Sequence, residues 1–271
     1  MPAPTEITPA QLLRLIGTPD APALIDVVTE ADFAADPHVI PGAIRIPHDR
    51  VLDLVPRLRG TRCVVYCQKG LKLSQGAAAM LRCEGVAAEH LAEGMVGWRA
   101  LDGAPRIPHA ALPAPVGGAT LWVTRHRPKI DRIACPWLIR RFVDPAARFL
   151  FVAPSEVPAV AERFGATPFD IEDVAFSHRG PHCTFDTMLD VFDLHGPALD
   201  TLARVVRGAD TNRHDLAPEA AGLLALSVGL SRQYRDDLDQ LAAGLPLYDA
   251  LYRWARDGQG EGHDWPAGRA A

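Results

Sequence analysis

The chain is poor in cysteine: Cys63, Cys67, Cys83, Cys135 and Cys183 are the five in 271 residues, an odd number with no tight pairing pattern. That composition excludes the dense disulfide scaffold of small secreted proteins and suits a reducing compartment. Long apolar runs are missing too. The most apolar stretch, Ala217 to Leu230, is broken by Pro218 and Gly222 and falls short of the roughly 20 residues a bilayer-spanning helix needs. It reads as a buried helix, and no membrane insertion is expected. Excess positive charge is also absent: 28 Lys and Arg stand against 33 Asp and Glu, a net charge of −5 with a pI near 6.0. Nonspecific nucleic-acid binding is therefore not expected. Met1 to Glu6 shows no positive segment leading into an apolar one, so no secretory leader is read and the chain is taken as cytoplasmic.

A length of 271 residues is comfortable for two domains. Proline and glycine punctuate Ala104 to Gly118 with no sustained hydrophobic period. This predicts a first domain over residues 1–108, a linker at 109–119 and a second domain over 120–271. In the first, strand and helix patterns alternate: helix from Pro9, strand at Ala23–Val27, helix at Glu30–Ala35, strand at Ala43–Ile46, helix at Val51–Leu58. Such alternation predicts a parallel α/β sheet with reactive groups at the carboxyl ends of strands.

One such end carries a cysteine. Thr61 to Tyr66 reads as a buried strand, Cys67 closes it, Gln68-Lys69-Gly70-Leu71-Lys72 forms a short basic loop, and an alanine-rich helix follows from Ser74 to Cys83. A thiol facing a helix start meets N–H groups that have no partner inside the helix. Those donors, with Lys69 and Lys72 nearby, favour the thiolate. The alternative is a small core hydrophobe, the ordinary fate of a free cysteine.

Three stretches resemble the rhodanese family of single-domain sulfurtransferases, over about residues 5 to 108. They are Ala23-Leu24-Ile25-Asp26-Val27, the run His38-Val39-Ile40-Pro41-Gly42-Ala43-Ile44-Arg45-Ile46-Pro47, and Leu91-Ala92-Glu93-Gly94-Met95-Val96-Gly97-Trp98. The resemblance implies a rhodanese-like parallel sheet with helices on both faces. It also implies that Cys67 accepts sulfane sulfur as a persulfide within the loop Gln68 to Lys72, between a small-molecule sulfur donor and acceptor. The chain departs from the family pattern at Val28, Glu93 and Lys72, where an arginine, a glycine and an arginine are common. A phosphatase relative of the fold is disfavoured, because the position that would need a forked arginine donor is Leu73.

The second half opens with a strand at Thr120–Thr124, then Arg125-His126-Arg127-Pro128-Lys129-Ile130-Asp131-Arg132, with Asp131 expected to cap a helix running through Phe142. Helices are expected at Thr187–Leu194, at Pro197–Val206 and onward to about Arg256, a mainly helical α+β domain. The runs Asp131 to Ile139, His178 to Asp186 and Val206 to Thr211 resemble the carboxyl-terminal domain of the chromate-resistance protein ChrB family, which implies a role in chromate resistance. A chromate-like dianion calls for forked, permanently charged donors, and Arg125 and Arg132 with His178 are the expected oxyanion-binding set. Ion pairing of both arginines to Asp170, Glu172 or Asp173 carries equal weight. His178, Cys183 and Asp186 offer nitrogen, sulfur and oxygen within nine residues, a set that zinc or iron could accept, and no other cofactor is implied.

Three functions remain open on these grounds. One is a sulfurtransferase coupled to an oxyanion-handling domain; another is a noncatalytic chromate sensor whose first half is a docking module. The third is metal-dependent chemistry in the second half.

Overall fold

The computed structural model describes residues 5–262. Residues 1–4, which carry most of the leader expectation, and the tail 263–271 lie outside the described residues. In chain order the first half contains β1 (Glu6–Ile7), α1 (Pro9–Leu13), β2 (Ala23–Asp26), α2 (Glu30–Ala35), β3 (His38–Val39), β4 (Ala43–Arg45), α3 (Val55–Leu58), β5 (Arg62–Tyr66), α4 (Lys72–Cys83), β6 (Ala87–Leu91), α5 (Gly94–Ala100) and β7 (Ile107–Pro108).

Five strands form one parallel sheet in the order β1-β6-β5-β2-β4, and β3 pairs with β7 antiparallel beside it. Side chains on a strand alternate between faces, and the alternation on β5 sorts the core into two layers. Cys63, Val65 and Cys67 pack with Ala77, Ala78 and Leu81 of α4 and with Val51, Leu54 and Leu58. Val64 and Tyr66 point the other way, into a cluster with Leu12 of α1 and Met95 and Trp98 of α5. Helices therefore cover both faces, and Cys67 lies at the carboxyl end of β5 on the α4 side.

The second half contains β8 (Leu121–Arg125), α6 (Asp131–Leu138) continuing as a wider π-turn over Ile139–Val143, β9 (Arg148–Val152), α7 (Val157–Phe164), β10 (Thr167–Pro168), α8 (Thr184–Phe192), α9 (Pro197–Asp210), α10 (Ala220–Gln233) and α11 (Asp237–Arg253). Its three strands form a small parallel sheet in the order β10-β8-β9, with α7 packed on Leu121 and Val123 of β8 and with α8 and α11 packed on Trp137. That ring meets Phe185, Phe142, Tyr248 and Tyr252 at centroid distances of 5.4 to 6.4 Å. The face of the first sheet that carries Tyr66, with Trp98 of α5 against it, is continuous with this second core. At Gly17, with φ +78°, a Cβ would lie 2.3 Å from the Phe142 ring, so the two halves meet closely there.

Two expectations about elements need correction. Asp131 does not cap α6: it is the first helical residue, after Ile130 at φ 39° and ψ −98°, and its carboxylate accepts from the Thr184 N–H at 2.6 Å instead. Strand β6 had no place in the expected pattern. Ala-Ala-Glu-His-Leu lacks β-branched residues, yet burial between β1 and β5 makes it a strand.

Candidate functional site

The Cys67 loop is shaped by what holds its carbonyls. Cys67 O accepts from the Met95 N–H at 3.0 Å and Gln68 O from the Val96 N–H at 3.0 Å, both in the first turn of α5. A trans peptide sets its N–H opposite its C=O. Tying these two carbonyls outward therefore turns the Gln68 and Lys69 amides the other way. Two glycines make the approach possible. A Cβ on Gly70 would lie 2.5 Å from Leu91 O, and one on Gly94 2.1 Å from Cys67 O; both residues have positive φ, which costs glycine little.

Inside the loop, Cys67 Sγ lies 3.2 Å from Ser74 Oγ, and no side chain caps the start of α4. Burial pushes the Cys67 thiol up. The Ser74 hydroxyl and the N–H groups of Ser74, Lys69 and Leu71 outweigh it, and the thiol ionises below its ordinary range. By contrast, burial pushes Cys63, four residues earlier, up to about 11. The ammonium groups of Lys69 and Lys72, which the sequence reading enlisted, are not among the leading influences. Both lysines and Leu71 are exposed, Gln68 is half-buried, and Cys67 itself is 5% exposed. Ser74 escaped the sequence reading; its signal was its place seven residues after the cysteine, on the inward face of the helix that follows.

Behind the loop, Asp26 at the end of β2 is fully buried, accepts from the Val28 N–H at 2.8 Å and lies 3.5 Å from Arg45 Nη1. Burial outweighs these partners and pushes its carboxyl up to about 6.

A second cluster forms where β8, α6, α9 and the loop before α8 meet. Arg125 Nη2 donates to Asp170 Oδ2 at 3.0 Å, and Arg132 Nε lies 3.2 Å from the same oxygen. Of the two expected roles for these arginines, the geometry has the ion pair with Asp170. His178 joins them through Asp170: its Nε2 lies 3.6 Å from Asp170 Oδ1, 3.5 Å from Asp131 Oδ2 and 3.2 Å from Asp210 Oδ2. Asp131 and Asp170 hold His178 in its protonated form, up to about 10, while burial and the neighbouring carboxylates raise Asp131 and bring Asp210 up to about 7.

The expected ligand set His178, Cys183 and Asp186 is not brought together. Cys183 precedes α8 as its buried cap, with its thiol pushed well up by burial. Asp186 turns away: Oδ2 accepts from the Cys183 N–H and Oδ1 from Arg207 Nη1, each at 3.0 Å. Among the described residues, the group of His, Cys, Asp or Glu whose ligand atoms lie within 4.8 Å of one another is Asp131, Asp170 and His178. Sequence alone marks two of these only as a helix cap and an ion-pair partner, and it does not single out Asp210. Among the described residues no hydrogen bond or ion pair joins the Cys67 loop to this cluster. A cavity of about 340 Å³, lined by Leu13, Ile16, Phe142 and Tyr252, belongs to neither.

Two known families match successive stretches of the chain. Residues 8–101 match the rhodanese-like domain family, and residues 122–255 match the family described as ChrB, C-terminal domain. The chain thus joins a rhodanese-like domain to a ChrB C-terminal domain. Protein ChrB of Cupriavidus metallidurans is 33% identical over 135 residues, which is 48% of this chain and 39% of that protein. Among solved structures, a rhodanese-like domain protein from Staphylococcus aureus is 24% identical and covers 35% of this chain and 90% of its own, with a TM-score of 0.32. Thiosulfate sulfurtransferase from Pseudomonas aeruginosa is 26% identical over 39% of this chain and 19% of its own, with a TM-score of 0.32. No helix among the described residues is long and apolar enough to cross a membrane.

Proposed function

We propose that this chain is a rhodanese-type sulfurtransferase that carries sulfane sulfur on Cys67 and serves chromate resistance through its ChrB C-terminal domain. The observation that supports it most is the Cys67 cradle. A thiol lies 3.2 Å from a hydroxyl, is lowered by three main-chain N–H groups, and sits in a loop whose carbonyls are tied outward to α5.

The chemistry follows from that arrangement. The Cys67 thiolate attacks the outer sulfur of thiosulfate; the new S–S bond forms as the old one breaks, and sulfite leaves with the electron pair. The persulfide anion carries its charge one atom further out, where loop amides can still meet it. A nucleophilic acceptor such as cyanide then takes the terminal sulfur, leaving as thiocyanate and returning the electron pair to Cys67. Fixed N–H donors need no reorganisation when charge moves between the two sulfurs.

In the second domain, an oxyanion reaching Arg125 and Arg132 has to compete with the Asp170 carboxylate that already pairs with both. Direct capture of chromate there costs those two contacts. The test of the central reading is cyanolysis of thiosulfate by the purified full chain: Cys67→Ser should abolish it, and equal rates in the two proteins would remove the catalytic claim.

A further inference from the structure

The cluster around His178 has the spacing of a metal site. A protonated imidazole nitrogen has one hydrogen and satisfies one acceptor well. Here three carboxylate oxygens surround His178 Nε2 at 3.2, 3.5 and 3.6 Å. Ligand bonds of roughly 2.0 to 2.2 Å to a tetrahedral ion place neighbouring ligand atoms about 3.4 Å apart. Within the compact group of Asp131, Asp170 and His178 the two carboxylate contacts, 3.5 and 3.6 Å, lie close to that value. A shared cation would turn these two long contacts into three ordinary bonds and leave its remaining position to solvent.

A second observation points the same way. Asp131 is 1% exposed, and its Oδ1, on the same carboxylate as the oxygen facing His178, is buried with no hydrogen-bond partner. A buried, unpaired carboxylate oxygen is costly to keep, and a cation bound beside it would remove the cost. The oxygens that face His178 are also oriented from behind. The Thr184 N–H donates to Asp131 Oδ2 at 2.6 Å and its hydroxyl to Asp170 Oδ1 at 3.0 Å, while Arg125 occupies the far oxygen of Asp170. Outer partners of this kind fix the direction of metal ligands. The His178 side chain is 43% exposed, which gives an ion a way in.

We propose that Asp131, Asp170 and His178 bind one divalent first-row transition ion, of the class Zn²⁺, Mn²⁺ or Fe²⁺, through one imidazole nitrogen and two carboxylates. Imidazole and carboxylate ligands suit these ions. The site lies in the second domain and does not depend on the sulfur chemistry of Cys67.

The test uses the full chain carrying Cys67→Ser and Cys83→Ser, so that neither the loop thiol nor the exposed one competes for metal. After removal of metal by chelation, Zn²⁺ binding is measured by calorimetry and Co²⁺ by its visible absorption. About one equivalent is expected, with affinity falling more than about 100-fold in His178→Ala and in the near-isosteric Asp131→Asn, and roughly tenfold or more in Thr184→Val. Circular dichroism shows whether each variant folds, and Asp131→Asn carries the test if His178→Ala does not. Absence of stoichiometric Zn²⁺ and Co²⁺ binding would overturn the proposal. So would binding that is unchanged in folded Asp131→Asn. Neither result bears on thiosulfate cyanolysis by the protein that retains Cys67.

Discussion

Replacing Gly94 with alanine should cost this protein both stability and thiol reactivity. Gly94 has φ +55°, and a Cβ there would lie 2.1 Å from Cys67 O and 2.5 Å from Gly70 N, both backbone atoms. Ordinary contact begins near 3.4 Å, so the Cys67 peptide has to recede by about 1.3 Å, a distance set by the same contact. A left-handed alanine costs roughly 1 kcal/mol. The displaced peptide also loses the bonds from Met95 N–H to Cys67 O and from Val96 N–H to Gln68 O, each worth about 1 kcal/mol. The total is about 3 kcal/mol, or a fall in melting temperature of roughly 6 to 12 °C for a protein of this size. Thermal unfolding followed by circular dichroism gives the first quantity, and alkylation of Cys67 followed by peptide mass spectrometry gives the second. Gly76→Ala is the control. That glycine lies inside α4 with nothing within 4 Å of its would-be Cβ, and alanine there should stabilise by about 0.5 to 1 kcal/mol. A Gly94→Ala protein that melts with the wild type and alkylates at the same rate would refute the claim that this contact sets the loop.

Two further substitutions probe charge. Ser74→Ala removes a hydroxyl 3.2 Å from Sγ that helps lower the Cys67 thiol. Alkylation by iodoacetamide in a Cys83→Ser background should shift to higher pH, with roughly tenfold less thiolate near neutrality; an unchanged profile would leave the main-chain amides as sole cause. Asp26 is raised from 3.8 to about 6 by burial, so the native state holds its proton more tightly than the unfolded chain does. The stability this brings is complete below pH 3.8 and lost as pH rises through about 6. Asp26→Asn keeps an acceptor for the Val28 N–H and should exceed the wild type in urea stability above pH 6 by up to about 3 kcal/mol, the gap closing toward pH 4. A gap that does not vary with pH would contradict the assigned cause.

The Cys67 loop was legible because its chemistry is contiguous. A strand, a cysteine, a short loop and a helix start follow one another within about a dozen residues, and the local order of elements already implies where N–H groups converge. What stayed hidden there was the role of α5, since the tie from Met95 and Val96 to the loop carbonyls joins residues 28 positions apart. The second cluster shows the opposite case. Its groups sit at positions 131, 170, 178 and 210 on α6, on the loop before α8 and on α9, and no spacing in the chain brings them together. Within the nine-residue window 178–186, sequence proximity misled: Cys183 is spent on the helix start and Asp186 on Arg207. Similarly, Asp131 looked like a helix cap because aspartate is common there. The strained turn at Ile130 instead carries its carboxylate inward to Thr184 and His178.

The most direct measurement of the central claim is intact-mass spectrometry of the full chain after incubation with thiosulfate and then with cyanide. The account predicts a gain of one sulfur atom on the wild type, its removal by cyanide, and no gain on Cys67→Ser. A wild-type protein that gains no sulfur, or a Cys67→Ser protein that gains as much, would contradict it.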